Sequence, residues 1–378
     1  MEKRDFRLAS IRSRRGRSNG ALLRHSTALA RDGYILLSME PELLACLAGG
    51  LSAEHAQRHA AEQRLQALSA SAGYAAGLAQ IAAQPAHPEA ARQLALLVLK
   101  GFVRGDDGGG GGGGWAGGGV APDEQAAVRG LLLALAADPA PRLRTAAGAV
   151  IGRLARAEWP ERWPELLPRL AEHVQSGAPE RMAGGMRCIH IFADDIADEQ
   201  LPLALPALWP TLLQVMGAAG AAHQRLRARA MATAHSLLTM LSNCVGAGVA
   251  GAAELLDQVL PPLLEACRAV LGEAAGEGGA THGVQLHTLK TVSMLLQAFP
   301  KRMSGALGAL LPAVMALLAS GLAAFEAREV RGAAAGGTGA DEAYDSDGTP
   351  VGFEDCVAQL VELVGALVEV PRFRKAVR

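Results

Sequence analysis

From residue 39 onward, apolar residues recur at spacings of three and four, which is the period of an amphipathic α-helix. Short breaks that carry Gly or Pro separate these stretches. Several stretches open on a proline, which suits a first helical position because no N–H group is needed there; these are Pro88, Pro122, Pro141, Pro164 and Pro179. The pattern predicts an all-α chain with fourteen helices, near residues 40–49, 53–69, 73–83, 88–102, 122–137, 141–156, 163–176, 179–193, 201–216, 221–243, 250–271, 281–297, 304–322 and 353–370.

The predicted helices group in antiparallel pairs. Most spacings between successive pairs lie near the roughly 40–47 residues of HEAT and armadillo repeats. One pair is too thin to bury its own apolar face, so neighbouring pairs have to stack. We therefore expect a right-handed superhelical solenoid of about seven HEAT-type pairs, and a single compact bundle is the structural alternative. The first helices start near residues 40, 73, 122, 163, 201, 250 and 304.

The expected domain organisation follows from a basic N-terminal segment, residues 1–38, and from two interruptions of the helical pattern. Seven consecutive glycines, Gly108–Gly114, cannot hold a helix and predict a flexible loop. We expect that shortening Gly108–Gly119 leaves the melting temperature unchanged, because loop-closure entropy varies slowly with length. The expected parts are a disordered extension (1–38), an N-terminal domain with pairs 1–2 (39–104), the Gly-rich loop (105–121), pairs 3–6 with the first helix of pair 7 (122–330), a Gly-rich and acidic loop (331–352), and the second helix of pair 7 (353–378).

The composition limits the possible functions. Aromatic residues make up only 4% of the 378 residues, which argues against an all-β fold. Residues 1–38 carry nine Lys or Arg and three acids, so the remaining chain has a net charge of −7, the wrong sign for a direct nucleic-acid binder. No apolar run is long enough to span a membrane. The five cysteines lie far apart without a C-x-x-C pair, which indicates structural thiols.

Motifs for catalysis or metal binding are weak. His55 and His59 have the helical spacing of a shared metal ion, but no third ligand lies nearby, so an exposed helix face is the interpretation. Asp345, Asp347 and Glu354 match three ligand positions of a calcium loop, but Ala343 occupies the first position and disables it. No nucleophile has a base at a recognisable spacing. We expect no enzyme activity, cofactor or metal.

An acidic segment is the strongest charge feature of the body. Between positions 331 and 355 the chain has six acidic residues and a single basic residue, Arg331. Such a segment is either a solvated loop or a site that attracts basic partners by Coulomb forces. The acids are Asp341, Glu342, Asp345, Asp347, Glu354 and Asp355.

Four stretches together resemble the importin-β superfamily of nuclear transport receptors. Residues 159–166, W-P-E-R-W-P-E-L, look like the family's fourth repeat, although a tight helix–helix link with packed Trp rings also explains them. Residues 61–68, A-E-Q-R-L-Q-A-L, and 91–100, A-R-Q-L-A-L-L-V-L-K, resemble the family's N-terminal domain. The acidic residues 345–354 resemble those of one subgroup, importin nine. Family members are several times longer, so the chain resembles an N-terminal fragment of one.

The resemblance implies a receptor that shuttles between cytoplasm and nucleus. It implies that the N-terminal repeats bind the GTPase Ran in its GTP form, that second helices line the inner face, and that basic cargo such as histones or ribosomal proteins and nucleoporins are partners. The acidic segment would contact Ran or basic cargo. The alternative is a HEAT scaffold or regulatory subunit with no GTPase partner. The residues that the resemblance assigns to Ran are Glu62, Arg64, Arg92, Gln93 and Lys100.

Overall fold

A computed structural model describes residues 39–104, 115, 119–218, 223–273, 281–332, 343–344, 350–351 and 353–369. These residues form fifteen α-helices, and the all-α prediction is confirmed. The helices are α1 (39–50), α2 (His55–Leu68), α3 (Tyr74–Ala83), α4 (Glu89–Arg104), α5 (Pro122–Leu135), α6 (Pro141–Glu158), α7 (Leu166–Val174), α8 (Pro179–Asp195), α9 (Leu201–Met216), α10 (Gln224–Gly246), α11 (Ala252–Leu271), α12 (His282–Ala298), α13 (Pro300–Met303), α14 (Leu307–Gly332) and α15 (Phe353–Glu369).

Each of the fourteen predicted helices is present, and α13 is an additional single turn. Three helices, α7, α10 and α14, begin three residues later than predicted. At α7 the preceding residues form a turn in which the Leu166 N–H bonds to the Trp163 carbonyl at 3.3 Å. The all-helical pattern did not predict a short antiparallel strand pair, β1 (Ala343–Tyr344) with β2 (Pro350–Val351). Among the described residues, no helix is long and apolar enough to cross a membrane.

The chain divides into two compact units, Met1–Arg153 and Leu154–Arg378. In the first unit, α3 packs against α4, its partner in the pair, and against α5 of the next pair. A glycine on α3 lets α1 approach closely, because a Cβ at Gly77 would lie 2.8 Å from the Leu43 side chain. Leu43, Leu78 and Leu96 are fully buried in this unit.

A carboxylate from α5 caps the N-terminus of α3. The residue before α3 is Gly73, with φ of +84° and no side chain that could accept the free N–H groups. Glu124 takes that role, since its carboxylate accepts hydrogen bonds from the N–H groups of Gly73 at 3.0 Å and Ala76 at 3.1 Å. The cap joins two successive helix pairs.

We expect Glu124→Ala to lower the free energy of unfolding by about 0.5–2 kcal/mol, because the substitution leaves two N–H groups at the start of α3 without an acceptor. Urea denaturation followed by circular dichroism measures the change. Asp123→Ala is the matched control, since this neighbouring carboxylate is exposed. Equal stability losses for the two variants would mean that the cap contributes nothing.

The Gly-rich loop is anchored by its tryptophan. Trp115 is only 2% exposed, and the side-chain amide of Gln125 donates hydrogen bonds to the carbonyls of Trp115 at 3.2 Å and Val120 at 3.3 Å. The burial of Trp115 limits the expectation that Gly108–Gly119 can be shortened at no cost to the part of the segment without this tryptophan. The polyglycine run itself, 108–114, lies outside the described residues.

In the second unit the helices form two layers. The pairs are α7–α8, α9–α10, α11–α12 and α14–α15. The first helices contact one another in series, α7 to α9 to α11 to α14, and the second helices do the same, α8 to α10 to α12 to α15. This arrangement buries one face of every pair against its neighbours, as the repeat pattern predicted.

Prolines inside helices occur on the first helices of this unit. Pro206 and Pro210 lie within α9, Pro261 and Pro262 within α11, and Pro312 within α14. All five are exposed, so the carbonyl groups that lose a helical hydrogen bond can bind water instead.

Histidine–threonine hydrogen bonds connect the second helices. Nδ1 of His190 on α8 lies 3.1 Å from the Thr233 hydroxyl on α10, and Nδ1 of His235 lies 3.3 Å from the Thr291 hydroxyl on α12. Both threonine hydroxyls donate to a carbonyl four residues earlier. Their oxygens can then accept from the imidazole N–H, which links each second helix to the next.

Candidate partner-binding surfaces

The helices that carry the predicted GTPase contacts flank one end of α1. A Cβ at Gly49 would lie 3.1 Å from Ala61 on α2, and one at Gly50 would lie 3.2 Å from Leu94 on α4. The end of α1 thus contacts both helices. The contacted residues, Ala61 and Leu94, are sequence neighbours of Glu62 and Gln93, two of the predicted GTPase contacts. Of those contacts, Glu62 and Arg64 on α2 and Lys100 on α4 are exposed, whereas Gln93 is half-buried.

Arg64 also makes an ion pair within this surface. Its guanidinium bonds to the Glu42 carboxylate of α1, with Nε at 2.6 Å. Both side chains are more than 40% exposed, so the pair contributes little to stability and can exchange with a partner's charges.

Arg92 has a different role from the predicted one. Its side chain is buried, Nε donates to the Ala82 carbonyl of α3 at 2.7 Å, and its guanidinium forms an ion pair with Asp138, which follows α5. The other oxygen of Asp138 accepts the Ala140 N–H at 2.9 Å. The assignment of Arg92 to the GTPase contact is therefore corrected: this side chain is committed to holding two successive pairs together.

The same arrangement recurs in the second unit. Arg227 is 3% exposed, its Nε donates to the Met216 carbonyl of α9 at 2.8 Å, and it pairs with Glu273, which follows α11, at 2.8 Å. Arg92 and Arg227 are each the fourth residue of a second helix, and each lies 46 residues before its acid. We name these two contacts the arginine links. The repeated spacing is the sequence signal that would have identified them.

The tryptophan motif is part of the core. Trp159 and Trp163 are 5% and 0% exposed, and the Trp159 ring meets Phe192 of α8 edge-to-face at 5.2 Å. The Gln200 side chain donates to the Trp159 carbonyl. The motif therefore fixes the α6–α7 corner by packing.

The acidic segment is only partly described. Asp341, Glu342, Asp345 and Asp347 lie outside the described residues. Glu354 and Asp355 are exposed in the first turn of α15, where the positive end of the helix dipole stabilises their carboxylates.

An apolar groove opens in the second unit beside the first helices α9 and α11. Its volume is about 300 Å³, enough for one or two apolar side chains of a bound segment. Carboxylates of Asp198 and Glu254 stand among the apolar lining residues Leu201, Pro202, Pro206, Leu241, Val249 and Leu255.

The thiols are buried, whereas the histidine pair lies on an exposed helix face. All five cysteines are buried, and burial raises the pKa of the Cys188, Cys267 and Cys356 thiols to about 12, so that they stay protonated. His55 and His59 stack with ring centroids 6.3 Å apart on an exposed face. Within the described residues, no group of three or more His, Cys, Asp or Glu is placed to hold a metal ion.

Comparison with known proteins bears on the first unit most directly. Residues 61–138 match the family model of the importin-beta N-terminal domain. Importin-9 of Drosophila melanogaster is 20% identical over 321 residues, which cover 84% of this chain and 31% of the relative. The chain thus spans about a third of the length of that relative.

Solved structures share the fold over most of the chain. The exportin Cse1 in its cargo-free, cytoplasmic state has a TM-score of 0.59 at 12% identity, covering 89% of this chain and 35% of its own. Yeast importin-beta, Kap95p, has a TM-score of 0.57 at 12% identity, covering 89% and 45%. The fold is therefore that of the HEAT-repeat solenoids, whereas the handedness and the count of seven pairs remain predictions. The comparisons thus show a match of residues 61–138 to the importin-beta N-terminal domain and a shared fold over most of the chain.

Proposed function

We propose that this chain is the N-terminal part of a nuclear transport receptor that imports basic proteins and shuttles between cytoplasm and nucleus. The observation that carries the proposal is the importin-beta N-terminal domain at residues 61–138. Solved structures with this fold include Kap121p bound to RanGTP and a Kap95:Nup1 complex. An exportin has the same fold, so the import direction rests on the likeness to Importin-9.

The proposed Ran-GTP surface consists of the exposed faces of α2 and α4. Glu62, Arg64 and Lys100 supply both signs of charge, and Gln93 adds an amide. Arg92 does not belong to this surface, because it is buried. It holds α4 against α3 and thereby positions the exposed residues of α4. Exposed charges at the rim of an interface mainly affect the association rate and its salt dependence.

Reversing two cations tests this surface. We expect Arg64→Glu with Lys100→Glu to weaken Ran-GTP binding about tenfold at low salt, and less at high salt, because screening removes the repulsion. Surface plasmon resonance with Ran loaded with a non-hydrolysable GTP analogue measures the affinity. The control is Arg169→Glu with Lys301→Glu, which changes the net charge equally at exposed positions of the second unit. Equal weakening by the two variants would place the binding site elsewhere.

The acidic segment is proposed to contact basic partners, either Ran or cargo such as histones and ribosomal proteins. Its six acids lie within residues 341–355, which contain no Lys or Arg, and Glu354 and Asp355 are exposed. A carboxylate cluster raises the local concentration of a basic protein and its association rate.

We expect neutralising the segment to weaken histone binding strongly at 50 mM salt and little at 500 mM salt, because the Debye length falls below about 8 Å above physiological ionic strength. Thermal stability should stay the same. Titration of a labelled histone at the two salt concentrations measures the effect, and equal low-salt affinities would contradict it. The substitutions are Asp341→Asn, Glu342→Gln, Asp345→Asn and Asp347→Asn, and the control substitutions are Glu161→Gln, Glu165→Gln, Glu180→Gln and Glu199→Gln.

Nucleoporins are the third class of partner in this proposal. The groove beside α9 and α11 offers an apolar floor to a short extended segment, and its proline-lined wall is exposed. We assign nucleoporin docking to this groove because the described second unit provides an apolar concavity there.

A further inference from the structure

Two neighbouring second helices of the second unit are basic. The 23 residues of α10 contain three arginines and no acid, and the 17 residues of α12 contain Lys290 and no acid. The first helix between them in sequence, α11, contains Glu254, Asp257 and Glu265 against a single Arg268. In this part of the unit the charge is therefore divided, with cations on α10 and α12 and mainly carboxylates on α11.

The cations share the solvent side of the second helices. Arg227 is withdrawn into its arginine link, whereas Arg225 is exposed and Arg229, one turn further, is half-buried. Lys290 is exposed on α12, which packs directly against α10. Residues four apart on a helix are about 6 Å apart, and packed helices lie about 8–10 Å apart. The contact of His235 with Thr291 places Lys290 ~15 Å along the helix axis from Arg225, so a short extended segment can reach all three cations.

Carboxylates border this surface on both sides. On α8, which packs against α10, Asp194 is exposed, and on α15, which packs against α12, Glu354 and Asp355 are exposed. A long polyanion laid across the second helices would meet these acids. A short acidic segment confined to α10 and α12 would not.

We propose that the solvent side of α10 and α12, with Arg225, Arg229 and Lys290, binds a short acidic polypeptide segment of a partner protein. An extended chain advances about 3.3 Å per residue, so five or six residues cover the three cations. Hydroxyl and amide groups of Thr239 and Asn243, exposed further along α10, extend the surface with hydrogen-bonding capacity. Nucleic acid fits less well, because its continuous row of phosphates would extend past the three cations to the bordering carboxylates.

The proposal does not depend on the Ran surface and is tested without a GTPase. The probe is a fluorescein-labelled decapeptide of alternating Glu and Asp, titrated with the 378-residue chain at 50 mM salt and followed by fluorescence anisotropy. We expect Arg225→Gln, Arg229→Gln and Lys290→Gln together to weaken binding at least about tenfold, with a shallower salt dependence. If the triple variant loses helicity, the exposed pair Arg225→Gln and Lys290→Gln serves instead.

The matched control removes the same number of cations elsewhere in the second unit, and we expect it to change the affinity less than about twofold. Equal losses in the two variants, or no binding by the parent chain, would overturn the proposal. Tighter binding of a ten-nucleotide oligothymidylate than of the peptide would overturn the assignment to a polypeptide. The control substitutions, all at exposed positions, are Arg162→Gln, Arg169→Gln and Arg268→Gln.

Discussion

Replacing Arg92 by leucine is expected to lower the free energy of unfolding by about 3–5 kcal/mol, because breaking a buried ion pair leaves one charge uncompensated. The side chains of Arg92 and Asp138 are 8% and 9% exposed, so water cannot take over the lost contact. The Ala82 carbonyl also loses its donor. Chemical denaturation followed by circular dichroism measures the loss.

Two further variants separate the charge effect from the loss of packing. Adding Asp138→Asn to Arg92→Leu should recover part of the stability, since the buried charge disappears while the amide oxygen can still accept the Ala140 N–H. Arg64→Leu breaks an exposed ion pair and should cost at most about 1 kcal/mol. The arginine link would be dispensable if Arg92→Leu cost no more than Arg64→Leu.

Trp115→Ala should destabilise the chain by about 3–5 kcal/mol, the usual cost of removing a buried aromatic side chain. Trp115 is 2% exposed although the segment around it consists almost entirely of glycines, with Ala116 directly after it. Deleting Gly108–Gly114 while keeping Trp115 should change the stability by less than about 1 kcal/mol, because loop-closure entropy depends weakly on length.

Thermal denaturation of the two variants distinguishes an anchored loop from a passive one. A large drop for Trp115→Ala with little change for the glycine deletion supports the anchor. A similar melting temperature for all three proteins would show that the tryptophan contributes no packing energy.

Local periodicity predicted the helices because every pair buries one face, and burial leaves an apolar residue at every third or fourth position. The same signal set the helix pairing, which the contacts between α9 and α10 and between α11 and α12 confirm. The strand pair Ala343–Tyr344 with Pro350–Val351 was missed, since two residues cannot show an alternation.

The candidate site was harder to predict because exposure depends on distant partners. Arginine is rarely buried unless it is paired, and the acid that pairs with Arg92 lies 46 residues away. Trp115 was interpreted as part of a flexible loop because the surrounding glycines dominate the local composition. By contrast, the sequence pattern was enough to predict that three side chains are exposed, because polar positions on an amphipathic helix usually face solvent; these are Glu62, Arg64 and Lys100.

Nucleotide-dependent binding of Ran tests the central claim most directly. The chain is immobilised, and Ran is supplied either with GDP or with a non-hydrolysable GTP analogue. The proposed function predicts binding at least about tenfold tighter for the GTP form, within the usual range of coupling between two ligands. Equal affinity for the two forms, or no binding of either, would contradict the proposal and favour a HEAT scaffold without a GTPase partner.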